Sequence, residues 1–178
     1  MIFKETKLKG AFILEPQKRK DNRGFFARTF CINEFKEHGL ETVFVQGNMS
    51  RTLAKNTLRG MHYQIDGAEE AKVVRCTRGA LFDVIIDMRE GSPTFGQHNT
   101  VELSEDNAFQ LYIPKGFAHG FCTLRENTEI AYLVSEFYSP GKEAGIRWDD
   151  PFFAINWPFE NPDMAERDAT YPDFKVLP

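Results

Sequence analysis

The sequence predicts an all-β fold, an antiparallel sandwich or barrel with a few short helices. Short apolar or alternating runs recur at near-even intervals, turn residues separate them, and the long helices that a parallel sheet needs between its strands are missing. In order, the runs are Ala11 to Leu14, Gly24 to Phe30, Val43 to Asn48, Thr57 to Gln64, Lys72 to Cys76, Leu81 to Asp87, Asn99 to Leu103, Phe109 to Ile113, Phe117 to Thr123 and Glu129 to Tyr138. Asp21-Asn22-Arg23-Gly24, Gly91-Ser92-Pro93, Pro114-Lys115-Gly116 and Ser139-Pro140-Gly141 read as turns. One helix is expected from Asn33 as N-cap to a stop near Gly39, and a shorter one near Met164 to Asp168.

The chain has 178 residues, no repeat at solenoid spacing and no Gly/Ser linker, so a single domain over 1–178 is expected. A chain of this size hides roughly 70% of its extended surface on folding, enough for one sizeable core without a disulfide or metal staple. Lys and Arg total 22 against 26 Asp and Glu, a formal charge of −4 with no long block of one sign. Nucleic acid is therefore not expected as a partner, because backbone binding needs a concentrated basic surface. Cys31, Cys76 and Cys122 are far apart and form no Cys-x-x-Cys pair, which suits buried hydrophobes in a reducing cytosol. Lys4, Glu5 and Lys7 break any apolar signal-peptide core, and no apolar run approaches the roughly 20 residues of a membrane span. A soluble, cytoplasmic protein without a membrane partner is expected.

Parity within strands gives the first functional hint. In the run Glu129 to Tyr138, residues Ile130, Tyr132, Val134, Glu136 and Tyr138 share one face. His62 and Gln64 share a face by the same rule, as do Lys72, Val74 and Cys76. A jelly roll keeping these faces inward gathers His, Lys and Tyr around a polar pocket, as proton chemistry requires. The densest polar cluster on a strand-like segment is Arg59-Gly60-Met61-His62-Tyr63-Gln64; it lies either at the surface or against a ligand that completes its hydrogen bonds. The same choice arises at Gln46-Gly47-Asn48-Met49-Ser50. His119 is a second embedded histidine, which on its own reads as a satisfied core group, whereas His38 and His98 sit in polar contexts and take no role. A metal site has a weak signature, because the residue two after His62 is Gln64 rather than histidine.

Three runs together resemble the dTDP-4-dehydrorhamnose 3,5-epimerase family: Arg59-Gly60-Met61-His62-Tyr63-Gln64, Ser92-Pro93-Thr94-Phe95-Gly96, and Ile113-Pro114-Lys115-Gly116-Phe117-Ala118-His119-Gly120-Phe121. Asp21-Asn22-Arg23-Gly24-Phe25-Phe26, Lys72 with Val73, Val74 and Arg75, Trp148-Asp149-Asp150-Pro151 and Ile155-Asn156-Trp157-Pro158 extend the likeness from about Lys7 to Asp168. The resemblance implies a cupin-type jelly roll (a double-stranded β-helix), a homodimer, and a metal-free cavity needing no cofactor and holding a dTDP-linked 4-keto-6-deoxyhexose. It implies His62 as base, Asp168 as its partner, Lys72 facing the ketone oxygen and Tyr132 as the acid on the opposite face. Arg23 and Arg59 would hold the diphosphate, and Gln46, Asn48, His119, Tyr138, Glu143 and Arg167 would contact substrate. Arg28 stands where many relatives have a substrate-contacting glutamate, and Gly47 where a bulkier or acidic residue is usual. A 3-epimerase that leaves C5 alone, a variant for another nucleotide, a non-catalytic sugar-nucleotide binder and a metal cupin enzyme remain the alternatives. Arg59 and His62, three residues apart, would face opposite ways on a straight strand, so a bulge or bend is expected near Gly60.

Overall fold

The computed structural model describes residues 1–175. Its strands are β1 (Ile2–Glu5), β2 (Phe12–Glu15), β3 (Arg19–Asp21), β4 (Gly24–Phe26), β5 (Gln46–Thr52), β6 (Leu58–Gln64), β7 (Lys72–Arg78), β8 (Ala80–Asp87), β9 (His98–Ser104), β10 (Gln110–Ile113), β11 (Phe117–Thr123), β12 (Thr128–Val134) and β13 (Glu143–Gly145). The helices are α1 (Ile32–Glu37) and α2 (Glu166–Ala169). A six-stranded sheet runs in the order β1-β2-β10-β7-β12-β5 and a five-stranded sheet in the order β13-β6-β11-β8-β9, with every pair antiparallel. β3 and β4 form a separate hairpin.

The main core lies between the two sheets. Val74, Cys76, Leu111, Ile113 and Ile130 of the larger sheet pack with Leu81, Ile85, Leu103, Phe117 and Phe121 of the smaller one. Alternation sends the intervening residues outward, where each outer face is covered in part. Val73 and Tyr112 meet Phe35 of α1, and Met61, Val84, Ile86 and Ala118 meet Ile146 and Phe153 of the C-terminal segment. Among the described residues no helix is long and apolar enough to cross a membrane.

Several local expectations need correction. The first helix starts two residues early: Cys31, with no side-chain hydrogen bond, occupies the N-cap and Asn33 lies inside the helix. The run from Gly24 pairs only to Phe26, and that from Glu129 only to Val134, so Tyr138 lies beyond the strand. Cys76 and Cys122 are buried, and burial pushes their thiols up to about 11, which leaves them neutral and inert. Cys31 is only half-buried, against the expectation of three buried thiols.

The Ser92-Pro93-Thr94-Phe95-Gly96 motif anchors a turn. Asp87, its side chain fully buried, accepts from the Arg89 guanidinium and from the Ser92 and Thr94 hydroxyls at 2.6–2.8 Å. Burial alone would raise this carboxyl, but those donors reverse the effect and hold it at about 2 against an ordinary 3.8. A depressed folded-state value stabilises the fold above the unfolded value and loses that contribution as pH falls from about 4 through about 2. Its size is about 2 kcal/mol. Denaturation curves should show Asp87→Asn destabilised near neutral pH, with the gap to wild type shrinking in acid below about pH 4.

Candidate active site

A cavity of about 590 Å³ opens between the sheets at the end of the main core; Ser50, Arg59, His62, Lys72, His119 and Tyr132 line it from the strands, and Arg167 and Asp168 from α2. A second space of about 340 Å³ adjoins it, bordered by Gln46, Asn48, Gln64, Glu70, Tyr138 and Glu143. His62, Lys72 and Tyr132 border both, so they stand at the junction. The two sheets contribute different chemistry. β6 and β11 of the smaller sheet bring His62 and His119, which pair across the strands. β7 and β12 of the larger sheet bring Lys72 and Tyr132, with Val134 opposite Lys72 and Asn48 opposite Tyr132.

The bend expected near Gly60 is present. β6 pairs with β11 through His62↔His119 and Arg59↔Phe121, with one extra residue on the β6 side between those pairs. That insertion turns Arg59 to the same cavity as His62. Gly60 has φ +126°, and a Cβ there would lie 2.4 Å from Gly120 Cα and 2.9 Å from the His119 carbonyl oxygen. These are backbone atoms that cannot swing aside. Gly60→Ala is therefore expected to lower stability by about 1–3 kcal/mol and to remove activity by displacing Arg59 and His62 together; a thermal melt with a turnover assay checks both.

Asp168 on α2 is buried and lies 2.7 Å from His62 Nε2, while its second oxygen accepts the Gly60 N–H at 3.1 Å. Burial alone would raise this carboxyl, but the His62 bond, the Gly60 amide and the Arg167 charge overcome it and keep it below the ordinary range. A carboxylate only accepts, so Nε2 carries the hydrogen and Nδ1 keeps the lone pair. Arg167 approaches Nε2 at 3.2 Å and Glu143 at 3.3 Å. His119 donates to Asp83, at 3.0 Å from the nearer oxygen. Asp83 is fully buried within β8, and burial raises its carboxyl against the opposing pull of His119. Burial also raises the Tyr132 phenol, with the Glu70 charge adding and Arg59 opposing, so the hydroxyl keeps its proton at neutral pH. Arg59 donates to Thr52 at 3.1 Å and has no carboxylate partner among the described residues, leaving its fork for an anion.

Thus His62, Tyr132, Asp168, Lys72, Arg59, His119 and Arg167 meet around one space, with Gln46, Asn48, Tyr138 and Glu143 beside it. Arg23 and Arg28 do not join them within this chain. Arg23 is 85% exposed at the β3–β4 turn and paired to Asp21, and Arg28 pairs with Glu34 near the N-terminus. Asp83, Glu70 and Tyr171 were not singled out by the sequence reading. Asp83 carried a signal, an acid inside the apolar run Leu81 to Asp87, which demands a partner. Tyr171, whose ring lies against Gly145 and beside His62, carried none. Among the described residues no three His, Cys, Asp or Glu side chains converge as metal ligands.

Comparison with known proteins gives a consistent result. The family model for dTDP-4-dehydrorhamnose 3,5-epimerase matches residues 5–176. The dTDP-4-dehydrorhamnose 3,5-epimerase of Salmonella typhimurium strain LT2 is 44% identical over 174 residues, covering 97% of this chain and 94% of that protein. A crystal structure of dTDP-4-dehydrorhamnose 3,5-epimerase from Bacillus anthracis strain Ames with TDP and PPi bound is similar at TM-score 0.94 and 39% identity, over 97% of this chain and 99% of the other. The dTDP-6-deoxy-D-glucose-3,5-epimerase of Legionella pneumophila Philadelphia 1, in complex with dTDP-4-keto-L-rhamnose, is similar at TM-score 0.88 and 40% identity, over 94% and 89% of the two chains.

Proposed function

The chain belongs to the dTDP-4-dehydrorhamnose 3,5-epimerase family, and we propose from that premise a division of labour among the residues of its cavity. The protein is an isomerase whose substrate is a nucleotide-linked 4-keto-6-deoxyhexose, inverted at C3 and C5. The ketone at C4 acidifies both neighbouring C–H bonds, because the electron pair left behind delocalises onto oxygen as an enolate. His62 Nδ1 takes the proton as the C–H bond breaks, and Asp168 stabilises the imidazolium that forms. Lys72 faces the enolate oxygen and balances its charge. Tyr132 then gives its hydroxyl proton to the carbon from the other side, and the phenolate and imidazolium exchange protons with solvent before the second carbon is processed.

The observation that carries this reading is the origin of base and acid on opposite sheets of one cavity. A sugar ring lying between the sheets meets His62 on one face and Tyr132 on the other, which is what inversion needs. Arg59 and Arg167 are the cationic groups of the cavity suited to the diphosphate. NMR of dTDP-4-keto-6-deoxyglucose incubated with the enzyme in D2O tests it: deuterium is expected at both C3 and C5, whereas label at C3 alone would make this a 3-epimerase, and no label would leave only a binder.

We further read the chain 1–178 as one functional domain, cytoplasmic and feeding deoxysugar biosynthesis, and as half of a homodimer. The β3–β4 hairpin presents Phe25, Phe26 and Arg23 to solvent, and the outer side of edge strand β5 presents Met49. A second copy covering these residues protects the sheet edge and brings Arg23 to the partner's cavity. A dimer mass in light scattering, with weakened nucleotide binding in Arg23→Ala, is the expected result.

A further inference from the structure

Glu70 lies outside the residues assigned roles above, yet it is built into their framework. Lys72 Nζ lies 3.0 Å from its Oε1, and both side chains are about 13% exposed. Its Oε2 accepts an N–H of the Gln64 side-chain amide at 2.9 Å. Gln64 is buried and has its own anchors: it donates to the Ala68 carbonyl at 3.0 Å, and its oxygen accepts the Ser139 N–H at 2.9 Å. One side of the carboxylate is therefore fixed independently of Lys72. The bridge also joins the two sheets, since Gln64 follows His62 on β6 and Lys72 opens β7.

We propose that Glu70 is a positioning residue for epimerisation: held by Gln64, it aims the Lys72 ammonium at the ketone oxygen and sets a fixed negative charge against Tyr132. The proposal rests on the roles given above to Lys72 and Tyr132. A flexible lysine stabilises an enolate best when its ammonium is already in place, because reorganisation during the reaction forfeits the electrostatic gain. Paired with Glu70 it forms a fixed dipole at the cavity wall. For Tyr132 the same carboxylate adds to burial in holding the phenol proton, against Arg59. The other charged or titratable groups around this junction are Arg59, His62 and Tyr63 on β6, Asp83 on β8, His119 on β11, Tyr138 beyond β12, Glu143 on β13, Asp163 ahead of α2, and Arg167 and Asp168 on α2. Of these, Arg59 opposes Glu70 at the Tyr132 phenol.

Glu70→Gln and Glu70→Asp test it, through kcat and KM across pH with a thermal melt of each variant. Glu70→Gln is expected to lose about ten- to a hundredfold in kcat with KM near wild type. The alkaline limb of its kcat profile should move to lower pH, because the phenol gives up its proton more readily once the neighbouring charge is gone. Glu70→Asp keeps the charge and so keeps the limb, while its shorter reach lowers kcat; it also serves if the glutamine variant fails to fold. A kcat loss with an unmoved alkaline limb in Glu70→Gln would overturn the proposal, as would wild-type kcat. Lys72→Met and Tyr132→Phe separate the two levels of argument: large losses there with wild-type Glu70→Gln reject Glu70 alone, and no loss there rejects the assigned site as well.

Discussion

His62→Ala should lower turnover by about two to four orders of magnitude, the contribution typical of a positioned general base. The substitution removes the group proposed above to accept the first proton, so deuterium from D2O should enter neither C3 nor C5. Substrate binding should change far less, because Arg59, Lys72 and Arg167 still line the cavity. Asp168→Asn is the companion variant. An amide offers both a donor and an acceptor to Nε2, so the ring is free to take the tautomer that protonates Nδ1, and the balancing negative charge is lost. Its loss should also reach the fold locally, since Asp168 accepts the Gly60 N–H beside the bulge. A single-turnover assay with isotope exchange checks both variants. Wild-type exchange in His62→Ala would place the base elsewhere.

Much of this site was legible because β-structure writes its faces into parity. Lys72, Val74 and Cys76 share the inward face of β7, and Ile130 and Tyr132 that of β12, as alternation requires. The bulge in β6 was legible for the opposite reason, since Arg59 and His62 could not share a face on a regular strand. What escaped was short or depended on distant partners. β1, β3 and β13 have 3 or 4 residues each and too little alternation to register. Tyr138 was placed by extending a parity beyond the end of β12; it reaches the cavity border from a loop instead, its N–H bonded to Gln46. Cys31 took the helix N-cap from Asn33 because the packing of Phe35 on the sheet, rather than a side-chain cap, sets where the helix starts.

Tyr132→Phe separates the two halves of the reaction, because it removes one hydroxyl and keeps the ring that packs against the core. His62 and Lys72 remain, so the enolate should still form and return its proton from the side it left. Deuterium should therefore wash into the substrate at the carbon His62 serves, while inverted product falls by about two to four orders of magnitude. The pH profile gives an independent reading. In wild type, burial and the Glu70 charge raise the phenol, so its protonated form should persist to alkaline pH and its loss should set an upper limb; in the phenylalanine variant that limb should vanish from the residual rate. Full product formation would remove Tyr132 from the reaction. Loss of product together with loss of wash-in would show that the hydroxyl acts before the enolate exists, as a donor to the ketone rather than to carbon, and Lys72 would then have to share its place at the oxygen.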